Sequence, residues 1–210
     1  MSRVQKTRTS LHMPKQRTEK VAEKVFLAVD VNNLWHGCKE LHGQQARVNF
    51  ATLLKRVNAA GFKKVPREIR AVAYTITAPF RKTTPTGFVR EESSRNKGFL
   101  AALEKIGYEV KTRHMRFEKG ITKPFHTDWD VGITVDAVAN LEWMDTFILA
   151  SGDGDYSPLL RKVQDSGKRV EIYTFKNTAA RVLYEQSNHV FYLDDSNVFV
   201  QRLDDEGGDQ

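Results

Sequence analysis

Aspartates in three separate segments are the residues of this sequence best suited to chemistry. Asp30 directly follows one apolar run, and Asp153 and Asp155 follow a second. Asp128 and Asp130 lie between the two runs. Carboxylates that are packed together repel and raise one another's pKa. Mg²⁺ relieves this repulsion because it prefers oxygen ligands, typically carboxylates together with substrate phosphates. The pattern indicates metal-assisted hydrolysis of a phosphodiester, with a bound water as the nucleophile.

The elements that must position these aspartates alternate along the chain. Apolar runs predict strands, and apolar residues at helical spacing predict helices. The predicted strands are 25–29, 69–76, 108–117, 146–150, 169–174 and 189–193. The predicted helices are 50–60, 94–106, 131–141, 158–166 and 178–186. Prolines, a glycine and basic residues predict a loop over 77–93.

The segment 131–141 suits a strand by its β-branched residues and a helix by its length and alanines. The helix is favoured because strands joined by helices form parallel sheets. We therefore predict an α/β fold with an open parallel sheet of about five or six strands and helices on both faces. Ligands of such sheets bind beyond the carboxyl ends of the strands, which is where Asp30 and Asp153 are expected.

Each aspartate also has a purely structural interpretation. Asp30 and Asn33 suit a turn in which the side chain hydrogen-bonds its own backbone. Asp130 and Asp155 suit the caps of the helices that follow them. Asp136 lies six residues beyond Asp130, which places it on a different helix face, so it is predicted at most to support the site.

Three segments resemble, in the same order, the signature motifs of NYN domains, and more narrowly those of the LabA-like branch. The likeness covers about residues 25–195. The segments are Val29-Asp30-Val31-Asn32-Asn33-Leu34, Asp128-Trp129-Asp130-Val131-Gly132-Ile133-Thr134-Val135-Asp136 and Ile148-Leu149-Ala150-Ser151-Gly152-Asp153-Gly154-Asp155-Tyr156-Ser157-Pro158-Leu159. The resemblance implies a PIN-like fold and an endoribonuclease that depends on Mg²⁺ or Mn²⁺.

By residue, the resemblance implies that Asp30, Asp130 and Asp153 bind the metal. Asp155 matches a fourth acidic position that takes part in catalysis. Supporting positions are predicted at Asn33, which orients the first loop, and at Ser151 and Asp136.

The chain departs from the family's pattern at two places. Thr127, Asp128 and Trp129 replace the usual Lys-Gly before the middle aspartate, which could alter phosphate contacts. Tyr156 replaces the usual Phe after the last aspartate, and we expect this change to have no effect.

Basic residues are concentrated between the second and third predicted strands. Basic groups that follow a backbone, with aromatic rings on which bases stack, are typical of single-stranded nucleic-acid grooves. We therefore predict that this region binds single-stranded RNA, although a solvated charged surface explains it equally well. The residues are Arg81, Lys82, Arg90, Arg95 and Lys97, with Phe117, Phe125 and Trp129 near the third strand.

The 210 residues and their net charge of +7 indicate one globular domain with charged ends. We assign 1–24 to a flexible basic arm, 25–200 to the nuclease-like domain and 201–210 to an acidic tail. The arm suits nucleic-acid binding, a solubilising role or a transit peptide. The single cysteine, Cys38, favours a reducing, cytoplasmic setting. No apolar run is long enough to predict a membrane span, and homodimer formation is left open.

Three functions compete at this stage. The first is a metal-dependent endoribonuclease. The second is a phosphohydrolase of the haloacid-dehalogenase type, which needs an aspartate two residues after its nucleophile, where this chain has Asn32. The third is an RNA- or protein-binding module with little or no catalysis. A module without catalysis has no use for clustered, repelling carboxylates, so the sequence favours the nuclease.

Overall fold

The computed structural model describes residues 22–59, 65–77, 80–84, 87–91, 94–114, 128–195 and 200–202. Over these ranges, none of the helices has the length and apolar character needed to span a membrane. The predicted arm lies outside the described residues up to residue 21. The first strand begins at Glu23, two residues before the predicted start of the domain.

A six-stranded parallel sheet forms the centre of the fold, as predicted. Its strands, in spatial order, are β6 (Glu109–His114), β3 (Arg67–Thr77), β1 (Glu23–Asp30), β7 (Thr146–Ala150), β8 (Arg169–Thr174) and β9 (His189–Tyr192). Two antiparallel pairs lie outside it: β2 (Ala46–Val48) with β10 (Val200–Arg202), and β4 (Phe80–Thr84) with β5 (Gly87–Glu91).

Six helices cover the two faces of the sheet in the described part of the chain. They are α1 (Val31–His42), α2 (Phe50–Ala59), α3 (Ser94–Ile106), α4 (Asp130–Ala139), α5 (Ser157–Asp165) and α6 (Arg181–Glu185). Successive residues of β1 face opposite sides because the side-chain period of a strand is two. Val25 and Leu27 pack against α1, α2 and α3, whereas Phe26 and Ala28 pack against α4, α5 and α6.

The order of the strands creates one point at which the chain reverses its direction across the sheet. From β1 the chain adds β3 and β6 on one side, and it then returns to add β7, β8 and β9 on the other. Side chains that follow β1 and β7 therefore meet above the switch point, where open α/β sheets bind their ligands. Asp30 ends β1, and residues 151–155 follow β7.

The amino edge of the sheet contains a buried ionic network. The Arg67 side chain is fully buried, and its Nε lies 2.8 Å from Oε2 of Glu23. Its Nη2 lies 2.7 Å from Oε1 of Glu171, which is also fully buried. The network joins β1, β3 and β8 at the edge opposite the aspartates, and it explains why β1 begins at Glu23.

The structure corrects two parts of the predicted element order. Helix α1 follows β1 without any linker, where the sequence suggested only a turn, and Val31, Leu34 and Cys38 are buried at helical spacing. Much of the predicted loop 77–93 forms the β4–β5 hairpin. Threonines and aromatic residues favour strands there, and this preference outweighs the prolines that suggested a loop.

Candidate functional site

Asp30 ends β1 and also caps α1. The backbone N–H of Asn33 donates to its Oδ1 at 3.0 Å, and the Tyr156 hydroxyl donates to its Oδ2 at 3.1 Å. The residue is only 9% exposed. Burial raises the pKa of Asp30 to about 6, aided by the charges of Asp130 and Asp153, although both hydrogen bonds oppose this rise. Asp30 is thus a buried carboxyl whose surroundings favour the protonated form more than water does.

The loop after β7 is held in a tight shape by its own polar groups. The Asp153 side chain caps a 3₁₀ turn, Gly154–Tyr156, and accepts from the N–H of Asp155 at 3.0 Å. The Ser151 hydroxyl oxygen accepts from the N–H of Asp153 at 3.2 Å. A methyl group at Gly152 would lie 2.8 Å from the carbonyl oxygen of Thr178, so only glycine fits there.

Asp130 lies in the first turn of α4, but it does not cap that helix. Trp129 occupies the N-cap position without a side-chain capping bond. Burial raises the pKa of Asp130, and the charges of Asp128, Asp153 and Asp155 add to this rise, whereas a hydrogen bond from Tyr156 opposes it. The carboxylate of Asp130 therefore has no capping role that would account for its position.

Trp129 fixes the start of α4 against the sheet. Its Nε1 donates to the carbonyl oxygen of Thr75, near the end of β3, at 2.9 Å. The guanidinium of Arg113 lies 4.2 Å from the centre of its ring. A methyl group at Gly132 would lie 2.5 Å from Cε3 of the indole, so the glycine lets the ring pack on the helix. These contacts set the position of Asp130.

The three exposed or half-buried aspartates of the site converge. Asp130, Asp153 and Asp155 each offer a carboxylate oxygen, and these oxygens lie within 4.8 Å of one another. We call these residues the acidic cluster. Three carboxylates at this spacing suit a divalent cation such as Mg²⁺, which takes oxygen ligands. Asp155 thus belongs to the compact group, and Asp30 lies beside it, joined through Tyr156.

Tyr156 is the site residue that sequence reasoning missed. Its side chain is buried, and its hydroxyl reaches the carboxylates of both Asp30 and Asp130. Burial raises the pKa of Tyr156, and the charges of these two aspartates raise it further, so the hydroxyl keeps its proton. The replacement of the usual Phe was the available signal, and we had expected it to have no effect.

Two asparagines hold the loops of the site together. Oδ1 of Asn33 accepts from the N–H of Gly152 at 2.8 Å, which joins the start of α1 to the loop after β7. Oδ1 of Asn32 accepts from the N–H of Ile76 at 2.8 Å, which joins the same turn to the end of β3. The contact of Asn33 joins two loops of the site, and its role in orienting the first loop stays a prediction.

Asp136 has other partners on the same helix. It accepts from the Tyr74 hydroxyl and from Nζ of Lys111, each at 2.6 Å. Although burial opposes the change, hydrogen bonds from Lys111 and Tyr74 and the charges of Lys111 and Arg70 lower the pKa of Asp136. Its carboxylate is therefore engaged with β3 and β6, and a supporting role in the site remains a prediction.

The predicted nucleic-acid contacts are only partly described. Arg81 and Arg90 are cross-strand partners in the β4–β5 hairpin, and Lys97 is exposed on α3. The side chains of Arg81, Lys82, Arg90 and Arg95 lie outside the described residues, as do Phe117 and Phe125.

A parallel α/β sheet with an acidic cluster at its switch point defines a PIN-like domain of the nuclease-like class. This chain belongs to the NYN domain family, whose model matches residues 24–194.

Two known proteins are similar to this chain, one in sequence and one in fold. The chain is 24% identical over 112 residues to the "Low amplitude and bright protein LabA" of Synechococcus elongatus (strain ATCC 33912 / PCC 7942 / FACHB-805). That match covers 51% of this chain and 60% of the relative's length. The crystal structure of VPA0982, a protein of unknown function from Vibrio parahaemolyticus RIMD 2210633, has the same fold. It superposes with a TM-score of 0.66 at 24% identity, covering 86% of this chain and 97% of that one.

Proposed function

We propose that this domain is a metal-dependent endoribonuclease that hydrolyses phosphodiester bonds in RNA. The observation that supports it most is the acidic cluster, in which Asp130, Asp153 and Asp155 bring carboxylate oxygens within 4.8 Å of one another. Among the described residues, Asp130 caps no helix and has no cationic partner that would explain why it lies in that group. Membership of a nuclease-like family supports a nucleic-acid substrate.

The carboxylate set fits Mg²⁺ or Mn²⁺, and the proposed ligands are the three residues of the acidic cluster, with Asp30 beside them. When bound, such an ion polarises the scissile phosphate and makes a coordinated water more acidic.

Hydrogen bonds within the chain orient the carboxylates and the loop of this site. The N–H of Asn33 and the Tyr156 hydroxyl orient the carboxylate of Asp30. Asn33 and Ser151 set the loop that presents Asp153 and Asp155.

The finer parts of the proposal concern substrate and setting. The net charge of +7 and the basic residues predicted to line the groove favour a polyanionic single strand. The unpaired, buried Cys38 favours a reducing, cytoplasmic setting. Homodimer formation remains a prediction, and the exposed Val131, Val135 and Val138 along α4 are one apolar surface that could serve it.

The decisive experiment incubates the 210-residue chain with end-labelled RNA and with single-stranded DNA of the same sequence, in Mn²⁺, Mg²⁺ or EDTA. We expect internal cleavage of RNA with either metal and none in EDTA. Asp153→Asn should abolish cleavage without unfolding the protein. Asp165→Asn, which changes an exposed aspartate at the end of α5, is the matched control.

Full activity of Asp153→Asn would show that the acidic cluster takes no part in the reaction. Tight RNA binding in EDTA without cleavage under either metal would favour a binding module instead.

A further inference from the structure

A cavity of about 540 Å³ opens at the same edge of the sheet as the acidic cluster. Its walls come from the start of α1, from β2, from the start of α2, from the end of β3 and from one side of α3. This volume lies in the range of small-molecule sites, about 300–1,000 Å³. The contacts described above assign no role to this space.

The lining of the cavity has a distinct chemistry. Its described lining residues include no carboxylate, so it differs sharply from the neighbouring acidic cluster. Aromatic rings and side-chain amides alternate with aliphatic residues. The aromatic residues are Trp35, Phe50 and Phe99, and the amides are Asn32, Asn49 and Asn96. Oδ1 of Asn32 already accepts from the N–H of Ile76, and Oδ1 of Asn49 accepts from that of Thr52, so these amides would offer N–H groups to a ligand. Flat apolar walls with such donors suit a flat heterocycle whose edge carries hydrogen-bond acceptors.

Among the described lining residues, Arg47 alone is charged. Its Nη1 donates to the carbonyl oxygens of Gln44 and Ala46, at 2.7 and 2.8 Å, and its guanidinium lies 5.4 Å from the Trp35 ring centre. Nη1 is thus occupied by the backbone, and the described lining residues include no second cation, so they do not form a cluster of converging charged donors of the kind that binds a phosphate group. Its chemistry favours a base over a phosphate.

Trp35 supplies a polar atom that the protein itself leaves unused. Its Nε1 is buried and has no hydrogen-bond partner among the described residues. Leaving a buried donor unsatisfied is unfavourable, so such groups in folded proteins usually have a partner. Because this Nε1 is closed off from solvent, a carbonyl oxygen or ring nitrogen of a bound heterocycle would accept from it only after the indole ring turns toward the cavity.

The cavity and the acidic cluster meet at the junction of β1 and α1. Asp30 adjoins the acidic cluster through Tyr156, in the layer of α4, α5 and α6. The next two residues, Val31 and Asn32, line the cavity in the layer of α1, α2 and α3. Neighbouring strands are about 4.8 Å apart, so a polymer crossing the ends of β7, β1 and β3 would reach both places.

We propose that this cavity binds one unstacked nucleobase of the RNA strand whose phosphate lies at the acidic cluster, and so sets a base preference at a fixed distance from the cut. This inference rests on the proposed function, because the acidic cluster supplies the phosphate end of the same nucleotide chain. Sequence-specific proteins read single-stranded RNA in this way, by stacking splayed bases on aromatic side chains and hydrogen-bonding their edges.

The test measures binding without cleavage. Four fluorescein-labelled ten-nucleotide homopolymers of A, C, G and U are titrated with the 210-residue chain in EDTA. We expect the best homopolymer to bind about ten-fold more tightly than the poorest, as stacking and edge contacts at one base allow. Ala102→Trp, at an exposed lining position on α3, should fill the cavity and remove this preference.

Ala101→Trp is the matched control, because Ala101 is exposed on the same helix but does not line the cavity. It should keep the preference. Phe99→Ala removes an aromatic wall that is 37% exposed, and it should weaken the preference without unfolding the protein.

The inference fails if the wild-type chain binds all four homopolymers equally or binds none of them. It also fails if Ala102→Trp keeps the wild-type preference. Failure of the proposed nuclease is a separate outcome, in which the base preference in EDTA is present but no metal supports cleavage.

Discussion

The hydroxyl of Tyr156 lies 3.1 Å from Oδ2 of Asp30, in the buried space beside the acidic cluster. The same hydroxyl reaches the carboxylate of Asp130, which comes from a segment 100 residues further along the chain. A tyrosine hydroxyl has only one proton, so it cannot donate fully to two carboxylates at once. One of the two carboxylates therefore lacks a full hydrogen bond from Tyr156 unless it binds a proton or a cation.

Tyr156→Phe tests the importance of this shared donor. Loss of a buried hydrogen bond to a charged group should destabilise the metal-free protein by about 1–3 kcal/mol. The variant should also bind Mn²⁺ with altered affinity, because Asp30 and Asp130 lose their common anchor. Urea denaturation in EDTA and calorimetric Mn²⁺ titration measure the two effects. Tyr184→Phe, which removes a hydroxyl that donates to the carbonyl oxygen of Lys176 and not to an aspartate of the site, is the control. Wild-type values for both measurements would show that the hydroxyl has no role.

Asp30 gives a stability that depends on pH. Because its pKa is raised to about 6 in the folded protein, the folded state binds this proton more tightly than the unfolded state does. The stabilising contribution is complete below the unfolded pKa of about 3.9 and is lost as the pH rises through about 6. Above that pH the buried charge is unfavourable in the absence of metal.

Asp30→Asn removes this charge while keeping a side chain that caps helices well. In EDTA the variant should gain stability relative to wild type as the pH rises from 5 to 8, by on the order of 1–1.5 kcal/mol. Urea denaturation at a series of pH values measures the difference. A difference that stays constant over this range would contradict the buried-charge explanation.

Asp155 and Asp128 provide a matched pair for metal binding. Asp155 belongs to the acidic cluster, whereas Asp128 lies outside that compact group. A ligand present at 100 times its dissociation constant stabilises a protein by about 2.7 kcal/mol. We expect Mn²⁺ to raise the melting temperature of wild type and of Asp128→Asn, and to raise that of Asp155→Asn much less. Equal shifts in both variants would exclude Asp155 as a ligand.

Breaking the ionic network at the amino edge should lower the stability of the fold strongly and should change the rate of cleavage little. Arg67→Met leaves Glu171 buried with only Arg169 as a partner, and breaking a buried pair costs about 3–5 kcal/mol. Arg70→Met, which breaks a half-exposed pair with Glu109, should cost less than about 1 kcal/mol. Thermal denaturation compares them. Folded Arg67→Met should cleave RNA at the wild-type rate. A slower reaction would show that the network at the amino edge of the sheet affects the site at the carboxyl edge.

The sequence was sufficient to predict the parallel sheet and the edge of that sheet at which the aspartates lie. The bounds of β7 and β8 were predicted without error because turn residues flank both runs. Strands β1 and β3 are longer than predicted by one or two residues at each end. Helix α1 was missed because Asp30 ends a strand and caps a helix at the same residue, which leaves no linker for a pattern to reveal. The turn-like hydrogen bond expected of Asp30 is present, and it begins that helix.

Contacts between side chains that are distant in the sequence were harder to predict. That Asp155 rather than Asp30 joins Asp130 in the compact group depends on the 3₁₀ turn after Asp153, which no periodic pattern signals. The same holds for Tyr156, whose apolar ring suggested only a core position. The cavity is formed by five elements, and none of them indicates it alone.

The acidic cluster combines the start of α4 with a loop that ends at Asp155, and Asp30 adjoins it from the first described strand. During synthesis these carboxylates cannot meet until more than 150 residues have been translated and residues beyond Asp155 have left the ribosomal tunnel. Chains that end before Asp153 therefore lack two of the three carboxylates of the acidic cluster, and such fragments cannot form it.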